Sequence, residues 1–295
     1  MLHISALGLL PALAACGEVV SPDTLSPLVR DATGLRCASF NGPSGSTFNE
    51  FFGINNRIEI VGYAGGVGPF EFRPGKHYEM DRYPGSVNSE LTSLNNGGAV
   101  AGWYASREGG IYGFTEWQGI WTSYSGPRAG RKMRILGIND SSDLVGYYEN
   151  RQGIDRAFAF YAGSKFRIIF RFSTGSVASA INDRGWIVGW KTAASGAIEG
   201  WLLVDGRFTN LAYPGAVSTK PSGISESDET VGSFEDASGN THGFILTQPF
   251  KAPRWREFDE PHAAGETVLA GINDRDDLVG YYRDGSGRVV AFLCR

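Results

Sequence analysis

The chain has 295 residues, 42% hydrophobic and 20% charged, enough to bury a large core as one big domain or two ordinary ones. Lys+Arg of 27 against Asp+Glu of 31 leaves a net charge of −4, so no basic surface excess exists to hold nucleic acid, and neither nucleic acid nor a cofactor is expected as a partner. The 41 glycines and 13% aromatic residues suit many short strands joined by tight turns, because glycine weakens helices and aromatic side chains favour strands.

In chain order, the first feature is an apolar run from Ile4 to Ala15. It has the length of a signal-peptide core and falls short of the roughly 20 residues that span a bilayer. It ends in Leu13-Ala14-Ala15-Cys16, which resembles the lipobox of bacterial lipoproteins. The resemblance implies cleavage after residue 15 and a lipid on the Cys16 thiol, the one membrane attachment expected. No Lys or Arg precedes the apolar core, so an ordinary cleaved leader, or no export, stays open. Residues 16–33 are polar and contain Pro and Ser, which reads as a tether. One folded domain is expected over 34–295.

That domain is repetitive. Six anchors read Gly53-Ile54-Asn55, Ser93-Leu94-Asn95, Gly137-Ile138-Asn139, Ala180-Ile181-Asn182, Gly223-Ile224-Ser225 and Gly271-Ile272-Asn273, at spacings of 40, 44, 43, 43 and 48. Each is followed by a small or apolar residue, a glycine and usually an aromatic, from Val61-Gly62-Tyr63 to Val279-Gly280-Tyr281. Each unit then closes on an aromatic: Phe70, Phe114, Phe158, Trp201, Phe244 or Phe292. The fourth unit divides into a strand ending near Ile181, a second over Trp186 to Trp190, a third around Gly200 to Val204 and a fourth from Arg207 to Tyr213. Asp205-Gly206 between the last two is a strong hairpin signal. Four strands in about 43 residues is the size of a propeller blade. The fold class expected is therefore all-β, a six-bladed β-propeller of four-stranded blades.

The last unit stops at Arg295 without a fourth strand, whereas Leu35 to Phe40 precedes the first anchor as the fourth strands precede the others. The N-terminal strand should complete the last blade, as its outermost strand. Cys37 lies in that strand and Cys294 in its expected partner, so an exported protein could join them by a disulfide. The register drawn from sequence offsets them by about two residues, at the edge of the roughly 4 to 7 Å Cα range. Two separate buried thiols are the alternative.

The runs GINDSSDLVGYY from Gly137 and GINDRDDLVGYY from Gly271, with His242-Gly243-Phe244, resemble the HAF-type extracellular repeats of bacteria. The likeness covers nearly all of residues 35–295, with Arg156-Ala157-Phe158 and Glu199-Gly200-Trp201 among the variants of the label segment. It implies export and a repeated β architecture, and no catalytic residue.

Little else carries chemistry. His77, His242 and His262 fall in three different units, so a metal cluster or catalytic triad is expected only if built across blades. No metal site and no catalytic residue is assigned. The Asn-Asp turns at Asn139-Asp140, Asn182-Asp183 and Asn273-Asp274 read as turn caps rather than calcium ligands. Tyr63, Trp103, Tyr147, Trp190 and Tyr281 read as blade-to-blade packing rather than a sugar platform. No pair of carboxylates stands out for glycosidic chemistry.

The expectation is a monomeric, non-catalytic binding or scaffold module on the bacterial envelope, with an unknown small molecule, glycan or envelope protein as partner. A propeller hydrolase or lyase acting on polysaccharide or another extracellular substrate is the alternative. Blade topology places the loops between blades and those between second and third strands on one face. That face would carry Arg128, Arg131, Lys132, His262 and Glu266 from the first set. The second set supplies Arg107, Glu108, Glu149, Arg151, Glu235, Asp236, Arg283 and Asp284.

Overall fold

Each anchor ends a strand whose side chains alternate between buried and half-buried, as in Asn49–Ile54 and Met133–Ile138, the period-two pattern of a strand packed on one face. The computed structural model describes residues 29–30, 34–73, 78–127, 132–162, 166–169, 174–250 and 252–295. Within them six antiparallel sheets form, each starting on an anchor strand. Blade 1 is Asn49–Ile54, Ile60–Ala64, Gly68–Phe72 and Glu79–Met80, and blade 2 is Asn88–Leu94, Val100–Ala105, Ile111–Trp117 and Ile120–Tyr124. Blade 3 is Met133–Ile138, Leu144–Glu149, Asp155–Phe160 and Phe166–Ile168. Blade 4 is Ser176–Ile181, Ile187–Thr192, Ile198–Val204 and Arg207–Leu211, each within a few residues of its expected position. Blade 5 is Ser218–Ile224, Thr230–Glu235, Thr241–Thr247 and Arg254–Phe258. Blade 6 begins with Thr267–Ile272, Leu278–Arg283 and Val289–Cys294. Each anchor strand neighbours that of the next blade and the sixth neighbours the first, so the ring closes.

The second and third anchors explain each other. Gly62, Gly102, Gly146, Gly189, Gly232 and Gly280 pair directly across the sheet with Phe70, Phe114, Phe158, Trp201, Phe244 and Phe292. All six rings are buried. A Cβ on Gly280 would lie 3.0 Å from the Phe292 ring and 1.9 Å from the Val268 carbonyl oxygen, so both the ring and the inner strand need the missing side chain.

Closure follows the expected route. Arg36–Phe40 pairs antiparallel with Val289–Cys294 as the fourth strand of blade 6. A two-residue strand, Val29–Arg30, pairs beyond it, so the outermost place belongs to a segment read as tether. Phe40 is fully buried against Phe51, Phe70 and Phe72 of blade 1, with centroids 4.9, 5.5 and 5.0 Å away. Cys37 and Cys294 form the disulfide. They face each other directly at a Cα separation of 4.0 Å, not offset by two residues. Arg36 and Arg295 exchange both backbone hydrogen bonds, which makes the adjacent cysteines a non-hydrogen-bonded pair, the kind whose side chains approach closest. The expected leader over 1–15, with Cys16, lies outside the described residues.

The antiparallel order gives the ring two unlike ends. Hairpins joining first to second and third to fourth strands lie at one end, the turn face. Hairpins joining second to third strands lie at the other with the crossings between blades, as the pairing of Thr241 with Glu266 and the bond from Val217 N–H to the Glu235 carbonyl require. This is the loop face.

Candidate binding site at the loop-face mouth

The turn-face end of the channel is built from the anchor Asn and the residue after it. Asn139 Oδ1 accepts from the N–H of Asp143 while its amide donates to the Asn182 carbonyl of the next blade. Asn55, Asn95, Asn182 and Asn273 repeat that link, and Ser225 interrupts it. One residue on, the N–H groups of Asn56, Asn96, Asp140, Asp183, Glu226 and Asp274 each donate to the next side chain of that series, and Asp274 donates back to Asn56. The capping role expected of these turns holds, and blade-to-blade bonding is added to it. Above the ring the channel holds a cavity of about 100 Å³ lined by Phe52, Thr92, Leu136 and Ser179 among others.

The loop-face end is chemically different. The residue three places before each anchor is Glu50, Glu90, Arg134, Val177, Lys220 or Val268, at the loop-face end of the six inner strands. Opposite them on the second strands stand Tyr63, Trp103, Tyr147, Trp190, Ser233 and Tyr281. Trp103 and Trp190 stand at blade junctions, and they meet charge there. The Arg134 guanidinium lies 4.1 Å from the Trp103 ring centroid, and Lys220 Nζ lies 6.0 Å from that of Trp190. Trp103 Nε1–H donates to Glu90 Oε1 at 3.1 Å.

Carboxylates converge on the same mouth. Burial pushes Glu50 up to about 7, aided by the negative fields of Glu90 and Glu266 and opposed by Arg283. Burial also raises Glu90, against its bond from Trp103 and the field of Arg134. The Tyr281 hydroxyl is raised by burial and then by Glu50, Glu266 and Glu90. Blades 6, 1, 2 and 3 thus share one electrostatic cluster. Glu50 and Glu90 lie within each other's field at this mouth. Glu50 and Glu90 are 40 residues apart and recognisable only as the same position of successive repeats.

Of the charged loop residues expected on this face, many are already paired. Lys132 Nζ meets Glu149 at 2.7 Å and Arg283 Nε meets Glu266 at 2.7 Å. Asp236 and Asp284 accept backbone bonds within their own turns, from Ser238 and Asn240 and from Ser286 and Arg288. His262 Nδ1 is 3.1 Å from the buried Glu260 carboxylate. Arg107, Glu108, Arg151 and Glu235 are exposed on the hairpins of blades 2, 3 and 5. Arg128 and Arg131 lie outside the described residues, as does His77.

Two further clusters lie away from the mouth. His242 has Asp236, Glu257 and Asp259 around it, all from its own blade, so the expectation that histidine chemistry needs several blades does not hold. The signal was the hairpin register, which pairs Gly243 with Phe258 and therefore brings His242 to Asp259. These carboxylates raise the imidazole above its ordinary value, against its own partial burial. The second cluster is Glu71, Asp81 and Glu116. Burial first, then Asp81, pushes Glu71 up to about 7, and burial first, then Glu116, pushes Asp81 to about 6.

A carboxyl whose folded pKa lies above its unfolded value binds the extra proton only in the folded state, so its contribution is retained at low pH and lost as pH rises through about 7. Glu71→Gln is accordingly expected to stabilise the protein at pH 8 by about 2 kcal/mol and to change little at pH 5, read by urea denaturation at both pH values. Equal effects at the two pH values would contradict this.

No protein-family model and no curated protein matches the chain. Solved structures of similar shape do. A putative TolB from Agrobacterium tumefaciens is 10% identical, with a TM-score of 0.59 over 85% of this chain and 90% of that one. AofleA from Arthrobotrys oligospora is 14% identical, with a TM-score of 0.55 over 94% and 92%. A gluconolactonase from Xanthomonas campestris is 10% identical, with a TM-score of 0.52 over 94% and 97%. At such identities the likeness is one of fold.

Proposed function

We propose that the protein is an exported, non-catalytic binding propeller of the bacterial envelope whose ligand, a glycan or other hydroxyl-rich small molecule, seats at the loop-face mouth. The carrying observation is the convergence there of Trp103, Tyr147 and Tyr281 with Glu50, Glu90, Arg134 and Arg283. Aromatic faces stack on apolar sugar faces while mixed acids and cations bond hydroxyl groups, the composition of a small-molecule site. The leader, the HAF-like repeats and the disulfide support export, and a lipid on Cys16 would supply the anchor. The loop residues Arg107, Glu108, Arg151, Glu235, Asp236, His262 and Asp284 form the rim of this reading.

A glycan array of the mature protein, followed by calorimetry on the best ligand, tests it. Glu50→Gln and Arg283→Ala are expected to weaken binding roughly tenfold or more, about the worth of a hydrogen bond to a charged group, and Arg107→Ala and Arg151→Ala to weaken it less. None of the four should lower the melting temperature appreciably, and Glu50→Gln should raise it at pH 8 by the reasoning given for Glu71. Loss of binding only in turn-face variants such as Asp140→Ala or Asp274→Ala would place the ligand at the wrong end.

One observation favours a second reading, a hydrolase or lyase. Burial pushes the Glu50 carboxyl up to about 7 within the field of Glu90, the range of a general acid at neutral pH. Turnover of a bound oligosaccharide that Glu50→Gln abolishes while binding persists would establish the enzyme. Unchanged ligand after prolonged incubation supports the binder.

A further inference from the structure

We propose that blade 5 carries a divalent transition-metal site, of the zinc type, formed by His242, Glu257 and Asp259 on its outer half. His242 Nδ1 lies 3.0 Å from both Asp259 oxygens and 3.7 Å from Glu257 Oε1. Ligand atoms about 2.0 to 2.2 Å from a tetrahedral zinc stand about 3.3 Å apart, and the observed separations bracket that value. Imidazole with carboxylates suits zinc and its first-row neighbours better than magnesium or calcium, which take oxygen alone.

Groups behind His242 and Glu257 hold these two ligands in place. Asp236 Oδ2 is 3.5 Å from His242 Nε2, positioned to receive the Nε2–H when Nδ1 gives up its proton to ligate a metal beside Asp259 and Glu257. The imidazole stacks on Phe234 at 5.1 Å, and Phe234 stacks on Tyr213 at 3.7 Å. The Tyr213 hydroxyl donates to Glu257 Oε2, which turns Oε1 toward the site. Blade 2 repeats the aromatic stack with Tyr83, Tyr104 and Tyr112, where a tyrosine replaces the histidine. The ligand set is thus a departure of one blade from the repeat. Three protein ligands leave a fourth position for water or a ligand atom. Its three ligands are none of the residues assigned to the channel mouth, only Asp236 being shared with the rim, and the site does not rest on the function proposed there.

Titration of EDTA-stripped protein with Zn²⁺ by calorimetry and thermal shift tests the assignment. One equivalent is expected to bind at micromolar concentration or tighter and to raise the melting temperature. His242→Phe, which keeps a ring on Phe234, and Asp259→Asn should lose this binding. Asp236→Asn, which keeps an oxygen for its turn, should weaken it roughly tenfold or more, the usual cost of losing an outer partner. His262→Asn should bind like the parent. No saturable binding, or equal binding by the parent and His242→Phe, would overturn the metal site and leave an imidazolium shared among carboxylates.

Discussion

Gly146→Ala is expected to destabilise the propeller by at least about 3 kcal/mol, and the variant to accumulate poorly or melt far below the parent. The new Cβ would sit 2.0 Å from the Arg134 carbonyl oxygen, with Arg134 and Ile135 backbone atoms at 3.0 Å. No side-chain rotation relieves a clash with backbone. The equivalent positions in blades 2 and 6 are as tight, with Glu90 O 2.0 Å from a Cβ placed on Gly102 and Val268 O 1.9 Å from one placed on Gly280. Gly285→Ala is the matched control. It has nothing within 4 Å and should change stability by less than about 0.5 kcal/mol. Urea denaturation of the pair decides the matter, and equal stability would refute the close-approach account of the repeated glycine.

Removing the closing disulfide should have an effect of similar size. The bond spans a sequence separation of 257 residues, and the chain-entropy relation assigns such a loop about 5 kcal/mol. Burial of Phe40 and pairing with the third strand of blade 6 remain in the reduced protein, so Cys37→Ser with Cys294→Ser should lower the melting temperature by roughly 10 °C without preventing folding. Alkylation without reduction followed by intact mass should find neither Cys37 nor Cys294 modified. Two modified thiols, or a melting temperature indifferent to reductant, would contradict the closure.

The repeat made the fold readable. Three recurring anchors locate the strands, the segment from Leu35 to Phe40 set before the first anchor as fourth strands are set before the others locates the closure, and Asp205-Gly206 marks a hairpin. Detail that depends on register was harder. The offset assigned to Cys37 and Cys294 missed because a sequence does not display which residues of a strand pair exchange hydrogen bonds. The mouth was less legible still. Glu50, Glu90 and Arg134 occupy one structural position but differ in charge, so a search for recurrence passes over them, whereas the aromatics opposite recur and were read as packing alone. Function in a repeated fold resides in such departures, and they acquire meaning only when neighbouring blades are placed side by side. His242 follows the same rule, since its carboxylates arrive 15 and 17 residues later on the returning strand.

The ligand is expected at the loop-face mouth. Backbone hydrogen exchange of the mature protein, followed by mass spectrometry with and without a saturating ligand from the array, tests it most directly. Slowed exchange is predicted at the loop-face ends of the inner strands around Glu50, Glu90 and Arg134 and in the hairpin from Trp103 to Ile111. Protection confined to the turn face, at Asn55–Asn56, Asn139–Asp143 and Asn273–Asp277, would contradict it.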